Sequence, residues 1–586
     1  MKNFLQQVAA VIVGLMVMAA FTGFMSLVML FAMIASQNTK PAISDGAVLH
    51  LNLSGTLAER AEDNPLNMFL GNTAAGTQGL DEMLAAVKEA KTNGKIAGIY
   101  IEGGILSADF ASLQELRKAI VDFKKSGKFV VAYGDMFTQG SYYVASAADE
   151  VMVNPSGMID WKGLASQPIF YKDLLEKVGV KMQTFRVGTY KSFVEPFTLT
   201  KMSDANRLQV SSFISDIWGN ICKDVSASRK ISTANLNSIA DKYVTLADAA
   251  DYVKLKLADK TAYVDQVRDK LRTLAGTKKL DLVEAHELAA VAEPKSGDGE
   301  VAVYYAYGDI VGSAEEGALS STSQIVGPKV VEDLDALMQD DNVKAVVIRI
   351  NSGGGSAFAS EQIWRAVQLL KKKKPVVVSM GGMAASGGYY MACGADYIMA
   401  EPTTLTGSIG IFGMVPDASG LLTEKLGLHF DVVKTNEASD FGAMGRGFNP
   451  AESAAMQAYV ERGYALFLRR VAAGRGMKTA NVDSIAQGRV WTGAQALKIK
   501  LVDRLGTLDD AVAEAARRAH LDKYAVSAYP AKTEWIDELV SSFRTNYMES
   551  HLREALGQYY EPLRFAATLR GTDCLQARIP FNPNIN

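Results

Sequence analysis

The chain has 586 residues, of which 48% are apolar and 21% are charged, and its formal net charge is −3. This length exceeds what one hydrophobic core usually organises, so two or three domains are expected, and the apolar content excludes a disordered chain. This near-neutral net charge gives no reason to expect nucleic-acid binding, which requires a surface rich in basic residues. Three widely separated cysteines, Cys222, Cys393 and Cys574, exclude a disulfide framework and have no zinc-ligand spacing, so no metal or other cofactor is expected.

The first predicted element is an apolar segment at residues 1–40. No charged residue occurs from Asn3 to Thr39, and Val8–Ala35 is almost entirely apolar. As a helix, these 28 residues would be about 42 Å long, which exceeds the ~30 Å hydrocarbon core of a bilayer. We therefore expect one uncleaved transmembrane helix, with a short cytoplasmic tip and the rest of the chain on the other side. A cleaved signal peptide, whose apolar region is about 7–15 residues long, is the alternative.

The rest of the chain contains an internal repeat with an offset of 247 residues. The stretch GDMFTQGSYYVASAADEVMVNP (Gly134–Pro155) resembles GGMAASGGYYMACGADYIMAEP (Gly381–Pro402), and a joint rich in Pro, Gly and Ser follows the first copy at Ala292–Glu300. Two copies of one domain are therefore predicted. The predicted boundaries are 45–290 for the N-terminal domain, 300–525 for the C-terminal domain and 526–586 for an extension that is helical near Ile536–Leu569.

Each copy alternates short β-branched strands with amphipathic helices. In the second copy, KAVVIRI (Lys344–Ile350) is typical of a buried strand, a helix follows, and PVVVSM (Pro375–Met380) is the next strand. This alternation predicts an α/β fold with two tandem domains of βαβ units and mainly parallel strands. Gly-rich loops follow both strands, at the carboxyl ends where such sheets carry their sites.

The second of these loops contains a candidate nucleophile, Ser386, in the sequence MAASGG. A serine at a strand-to-helix turn presents its hydroxyl outward, and the amide of Gly387 lies at a helix N-terminus, where unpaired N–H groups favour an anion. A second donor from the NSGGGS loop (Asn351–Ser356) would complete an oxyanion hole. Small residues that only allow helix–sheet packing are the alternative. The first copy, however, has Gln139 opposite Ser386, which a packing role does not explain.

The general base is not a neighbour of Ser386 in the sequence, because no histidine, aspartate or glutamate lies within nine residues of it. Aligning the two copies places Lys191 of the first opposite Ser439 of the second. The first copy therefore has the lysine but no serine equivalent to Ser386, and the second copy has Ser386 but no lysine equivalent to Lys191. This complementarity predicts a Ser–Lys dyad built from both domains. A lysine base must be neutral near pH 7, which burial favours by lowering its pKa, and we expect Glu195 to point away from it.

Four motifs occur in order along the chain: GTYKSFVEPFT (Gly188–Thr198), INSGGGS, ASGGYY and TGSIGIFG (Thr406–Gly413). Together they resemble the signal peptide peptidase A group of the protease IV family, in its long, duplicated form. The resemblance covers nearly the whole chain and implies a fold similar to that of the Clp protease and crotonase superfamily. One departure is that relatives often have N-S-P-G-G, whereas this chain has Gly353 in place of the proline.

The resemblance assigns roles to individual residues. It implies that Ser386 is the nucleophile, Lys191 the general base, Ser408 a hydroxyl that orients the lysine, and Gly355 and Gly387 the oxyanion donors. The implied function is that of a serine endopeptidase of the bacterial inner membrane that degrades signal-peptide remnants and similar short hydrophobic peptides on the periplasmic side. A homotetramer is also implied. The alternatives are a crotonase-like acyl-CoA enzyme and an inactive membrane scaffold.

Overall fold

The computed structural model describes residues 41–61, 76–292, 297–314, 323–532 and 575–578, together with residues 14, 17, 18, 21, 22, 24 and 25. In the first half of the chain the strands are β1 (Ala47–Ala58), β2 (Thr77–Gly79), β3 (Ile96–Ser107), β4 (Phe129–Phe137), β5 (Glu150–Ile159), β6 (Lys181–Arg186), β7 (Lys260–Thr261) and β8 (Leu282–Glu284). The helices of this half are α1 (Leu80–Thr92), α2 (Phe110–Phe123), α3 (Gln139–Ala145), α4 (Lys172–Lys177), α5 (Glu195–Thr198), α6 (Asp204–Arg229), α7 (Thr233–Ala240), α8 (Ala249–Lys254), α9 (Val264–Ala275) and α10 (Ala285–Val291).

The second half repeats the alternation of strands and helices. Its strands are β9 (Glu300–Tyr307), β10 (Asp309–Val311), β11 (Gln324–Val326), β12 (Val343–Ser352), β13 (Gly354–Ser356), β14 (Val376–Ala385), β15 (Tyr397–Ala400), β16 (Leu405–Gly407), β17 (Phe412–Asp417), β18 (Val490–Thr492), β19 (Arg504–Leu505), β20 (Ala525–Tyr529) and β21 (Leu575–Arg578). Its helices are α11 (Gly327–Gln339), α12 (Ala357–Lys371), α13 (Gly387–Ala392), α14 (Pro450–Arg475), α15 (Thr479–Ile485), α16 (Gly493–Lys498) and α17 (Leu508–Arg518).

Two large sheets form the centres of the two domains. The first has the order β2-β1-β3-β4-β5-β7, with β8 also on β1, and all its pairs are parallel. The second has the order β18-β16-β14-β12-β9-β20, with β15 on β14 and β19 on β15, and only its β16–β18 pair is antiparallel. The shared series β1-β3-β4-β5 and β9-β12-β14-β15 confirms two tandem α/β domains.

A third sheet combines strands from distant parts of the sequence, in the order β11-β10-β13-β21-β17-β6. Strand β6 comes from the first copy of the repeat and pairs antiparallel with β17 of the second, from Phe412 opposite Arg186 to Asp417 opposite Lys181. The segment that leads from β6 to Lys191 is therefore held against the second domain. Strand β21 fills the position between β13 and β17.

A buried ion network joins the two domains. The Arg349 guanidinium in β12 lies 2.8 Å from Glu59 and 2.7 Å from Glu115, both of the first domain, and all three side chains are at most 3% exposed. Asn351 donates to Glu59 at 3.0 Å, and Lys118 bonds the buried Glu401. Buried charges are stable only when they are paired in this way, so the network fixes how the domains are docked.

The predicted anchor at 1–40 lies outside the described residues apart from seven helical positions between 14 and 25. Within the described part of the chain, no helix combines the length and apolar character needed to cross a bilayer. The predicted helix near Ile536–Leu569 also lies outside the described residues. The described parts of the predicted extension, 526–532 and 575–578, contribute strand residues rather than helix, in β20 and β21.

Candidate active site

Ser386 lies at the sharp turn between β14 and α13. Its φ and ψ are 54° and −112°, a conformation that L-residues rarely adopt, and its side chain is fully buried. Such a conformation costs on the order of 1–3 kcal/mol and persists only where the surroundings fix it. Here the Ser386 amide donates to the Gly407 carbonyl at 2.8 Å, which ties the turn to β16. The hydroxyl is thereby held at the carboxyl end of the second sheet, as the sequence predicts.

Lys191 reaches Ser386 across the domain boundary within the same chain. The Lys191 Nζ lies 2.8 Å from Ser386 Oγ, 3.1 Å from the Ser408 carbonyl oxygen and 3.1 Å from Ser408 Oγ. Although 195 positions separate the lysine from the serine, the pairing of β6 with β17 brings them together. The structure thus brings Ser386 and Ser408, two of the predicted site residues, into contact with the amine of a third, Lys191.

The loop that carries Lys191 is closely packed. A β-carbon added at Gly488, which has a φ of +78°, would lie 2.6 Å from Lys191 Cβ, so only glycine allows this approach. Gln209 of α6 donates to the Tyr190 carbonyl at 3.0 Å and to Ser192 Oγ at 3.1 Å, which fixes the residues on both sides of the lysine. The lysine therefore has a single well-defined position.

Burial sets the protonation state of the Lys191 amine. The side chain is fully buried, and this desolvation holds its pKa well below the usual value for a lysine. The Glu195 carboxylate, which would oppose this effect at close range, instead accepts from Ser203 Oγ at 2.6 Å and from Asn206 Nδ2 at 3.0 Å. Burial therefore favours the neutral form of the amine, which is the form that can accept a proton.

A neutral amine can satisfy all three contacts of Nζ. A neutral NH₂ group has two donors and one lone pair, and Nζ has three partners. If the two N–H groups point at the carbonyl and hydroxyl oxygens of Ser408, the lone pair is directed at the Ser386 hydroxyl. Ser408, itself fully buried, would then orient the amine.

The predicted oxyanion residues lie beside Ser386. Gly387 is the first residue of α13, and Gly355 is central in β13. A β-carbon added at Gly354 would lie 2.7 Å from the Gly387 amide nitrogen and 1.9 Å from the carbonyl oxygen of Ala577 in β21. The Gly-rich strand and the helix N-terminus therefore meet at one point, and a peptide carbonyl lies there.

The equivalent position in the first domain has a different role. Gln139, at the start of α3, accepts from the amides of Lys162 and Gly163 at 3.1 and 3.0 Å and donates to the Gly163 carbonyl at 3.0 Å. Its side chain thus ties down a loop instead of meeting a base. The described residues contain no group of three or more His, Cys, Asp or Glu side chains placed to hold a metal ion.

Two features of the site were not predicted from the sequence. One is strand β21, because LQAR is too short and too polar to stand out as a strand. The other is the Arg349 network behind the nucleophile loop, where Asn351 also accepts from the Met383 amide at 3.1 Å. An arginine within the apolar run VVIRI was the available signal, since a charge in a buried strand requires partners.

Comparison with known proteins agrees with this architecture. The family model of peptidase family S49 matches residues 122–278 and 368–522, once in each domain. The Clp protease family model matches residues 318–404, which contain both Gly-rich loops of the second domain.

Similar proteins extend over most of the chain. Protease 4 of Salmonella typhi is 36% identical over 530 residues, covering 87% of this chain and 84% of that protein. Protease 4 of Haemophilus influenzae is 34% identical over 572 residues, covering 93% and 91%. The chloroplastic serine protease SPPA of Arabidopsis thaliana is 31% identical over 491 residues, covering 82% and 70%. The chain therefore belongs to peptidase family S49 and is a serine peptidase of the signal peptide peptidase A type, in the long, duplicated form.

Proposed function

We propose that this chain is a membrane-anchored serine endopeptidase that degrades cleaved signal peptides and similar short hydrophobic peptides through a Ser386–Lys191 dyad. The observation that carries the proposal is the 2.8 Å contact between the Ser386 hydroxyl and a fully buried amine whose pKa is lowered by that burial. Serine is a weak nucleophile unless a base removes its proton, and Lys191 is the group in contact with it.

The reaction would proceed through an acyl-enzyme. Neutral Lys191 takes the Ser386 proton as the oxygen attacks the peptide carbonyl, and the amides of Gly355 and Gly387 receive the oxyanion. Lys191 then gives its proton to the leaving amine as the C–N bond breaks. A water molecule, deprotonated by the same lysine, hydrolyses the ester and restores the serine. Ser408 keeps the amine directed at the reacting oxygen throughout.

The membrane anchor is part of the same proposal. The uncharged residues 3–39 would hold the chain in a bacterial inner membrane, with both domains on the periplasmic side. Substrates left in the bilayer after protein export would then be presented at short range. Fractionation of cells that express the full chain or a chain lacking residues 1–40 tests this point. Recovery of both in the soluble fraction would contradict it.

We also propose a homotetramer, as the family resemblance implies. The contact between Lys191 and Ser386 lies within one chain, so each subunit would carry one complete site. Light scattering of the detergent-solubilised protein measures the subunit number directly, and a monomer with full peptidase activity would contradict this part of the proposal.

Hydrolysis of a synthetic signal peptide tests the catalytic assignment. We expect the wild type to cut it, Ser386→Ala and Lys191→Ala to lose at least about a thousandfold in kcat, and the exposed Ser439→Ala to retain full activity. Acyl-CoA turnover that survives in Ser386→Ala would favour a crotonase-like enzyme instead. A wild type that a serine-directed phosphonate does not label would favour an inactive scaffold.

A further inference from the structure

A bulge in β14 lies directly before the nucleophile. The ladder between β12 and β14 shifts register between Ile350 and Ser352. At this shift the single residue Asn351 of β12 faces three residues of β14, 381–383. A β-bulge bends its strand and changes the direction of the side chains that follow it, and bulges are common beside active sites. The shape of this bulge therefore sets the direction in which β14 presents Ser386.

The side chain of Asn351 bridges the bulge. Its carbonyl oxygen accepts from the Met383 amide at 3.1 Å, so it supplies an acceptor where the ladder is interrupted. Asn351 also lies two positions before Gly353, where the Gly-rich run of the predicted oxyanion loop begins. One side chain thus joins the strand that ends at the nucleophile to the strand that leads into the oxyanion loop.

Two carboxylates of the first domain orient the Asn351 amide group. Its nitrogen donates to Glu59 at 3.0 Å and to Asp109 at 3.4 Å. Because the amide nitrogen is only a donor, these acceptors fix which end of the group faces the first domain, and the carbonyl oxygen is directed at β14. The same two carboxylates also contact the bulge itself, because β-carbons added at Gly381 and Gly382 would lie 2.2 Å from them.

The two carboxylates have fixed positions of their own. Glu59 is 5% exposed and accepts from Arg349 Nε at 2.8 Å. Asp109 caps the N-terminus of α2, where it accepts from the Ser112 amide at 2.7 Å and from the Ser112 hydroxyl at 2.8 Å. A group whose rotamer is already fixed by packing and hydrogen bonds can orient a neighbour without a further loss of conformational entropy. The first domain therefore provides a rigid template for the bulge.

We propose that Glu59 and Asn351 are positioning residues for the peptidase reaction. Glu59 of the first domain orients the Asn351 amide group, and this group holds the β14 bulge in the shape that aims the Ser386 hydroxyl at its base. Both residues act through β14 and not on the substrate. The proposal rests on the dyad of the proposed function. It gives the first domain two roles in one site, because that domain supplies the base and also sets the direction of the nucleophile.

Hydrolysis of a synthetic signal peptide by Asn351→Ala tests the first step. We expect kcat to fall by roughly tenfold to a hundredfold, because the Met383 amide loses its acceptor and the nucleophile moves out of line with its base. KM should stay within about twofold of the wild-type value, since the substrate keeps its contacts. Titration of active sites with a serine-directed phosphonate gives kcat per folded site, so misfolded protein does not enter the comparison.

The matched control is Glu115→Gln, which weakens the same domain interface at a different point. Glu115 binds the same guanidinium as Glu59, that of Arg349, at 2.7 Å, and its second partner is the Leu508 amide at the start of α17. We expect this variant to unfold at a lower temperature but to keep kcat within about twofold of wild type. A loss of kcat as large as that in Asn351→Ala would mean that domain docking alone sets the rate, and would overturn the proposal.

Reversal of one hydrogen bond tests the coupling between the two positioning residues. Asn351→Asp places a carboxylate against Glu59, and Glu59→Gln places an amide nitrogen against either Asn351 or Arg349, so each single variant should lose about tenfold or more in kcat. In the double variant the Gln amide donates to the Asp carboxylate, which still accepts from β14. Its kcat should therefore recover to within roughly fivefold of wild type. Losses that simply multiply in the double variant would contradict the coupling.

The outcomes separate these positioning roles from the proposed function. A wild type that hydrolyses the signal peptide, together with an Asn351→Ala variant whose kcat is within about twofold of it, contradicts the positioning roles and leaves the peptidase assignment intact. A wild type that does not hydrolyse the signal peptide contradicts the proposed function, and the positioning roles fall with it.

Discussion

The Ser408→Ala substitution keeps the base, Lys191, and removes only a hydroxyl that orients it. The substitution deletes the 3.1 Å contact between Ser408 Oγ and Lys191 Nζ but leaves the backbone contact at 3.1 Å and the 2.8 Å contact with Ser386. The amine then has two partners for three hydrogen-bonding positions, so it is free to rotate its lone pair away from the serine.

The size of the effect follows from one hydrogen bond. Such a bond contributes about 0.5–1.5 kcal/mol, which corresponds to a loss of roughly 2- to 12-fold in kcat because each ~1.36 kcal/mol is tenfold in rate. KM should not change, since Ser408 contacts the amine and not the peptide strand. The acid limb of the pH profile should move to lower pH, because the protonated amine loses an acceptor and its pKa falls further.

The assay is steady-state hydrolysis of a fluorogenic peptide over a range of pH, with the exposed Ser439→Ala as the matched control. A kcat within twofold of wild type together with an unmoved acid limb would refute the role given to Ser408. A loss as complete as that in Ser386→Ala would equally refute it, because it would make the hydroxyl a primary catalytic group.

Three further predictions concern the stability of the protein and the close backbone packing at Gly355. Lys191→Met should abolish turnover and raise the unfolding temperature by about 2 °C or more. The reason is that a lysine whose pKa is lowered in the folded state destabilises the protein at any pH below its unfolded pKa of ~10.4. Calorimetry should therefore show equal unfolding temperatures for the variant and the wild type above that pH, and a difference that grows as the pH falls towards the folded pKa. Arg349→Ala leaves two buried carboxylates without their cation and should lower the free energy of unfolding by about 3–5 kcal/mol, whereas Lys88→Ala, which removes an exposed pair with Asp509 between the same domains, should change it by less than about 1 kcal/mol in denaturant titrations. Gly355→Ala would place a β-carbon 2.1 Å from a backbone carbonyl oxygen and should reduce kcat by about a hundredfold or more with the fold retained by circular dichroism; a kcat within tenfold of wild type would contradict the placement of this strand.

The sequence allowed the architecture to be predicted because its signals are local or repeated. Short β-branched runs such as VVVSM gave β14, and the duplicated frame around Ser386 showed that two domains share one topology. Complementary differences between the copies predicted Lys191 as the partner of Ser386, and the pairing of β6 with β17 explains how the two side chains come to lie 2.8 Å apart.

Other features depend on contacts that a linear pattern does not encode. Strand β21 has four residues and becomes a strand because β13 and β17 offer two open edges, so its own sequence carries almost no signal. The partners of Arg349 lie 290 and 234 positions away, and no periodicity relates such residues. Long-range pairing of this kind is decided by packing between domains and not by local preference.

The most direct test of the central claim, that an uncharged Lys191 activates Ser386, is the rate at which a serine-directed phosphonate labels Ser386 from about pH 5 to pH 10. In the wild type we predict a sigmoidal rise with a midpoint well below the usual pKa of a lysine, and in Lys191→Met a slow rate that does not change with pH. Labelling of Lys191→Met at the wild-type rate, or a wild-type midpoint at the value of an ordinary exposed lysine, would contradict the account.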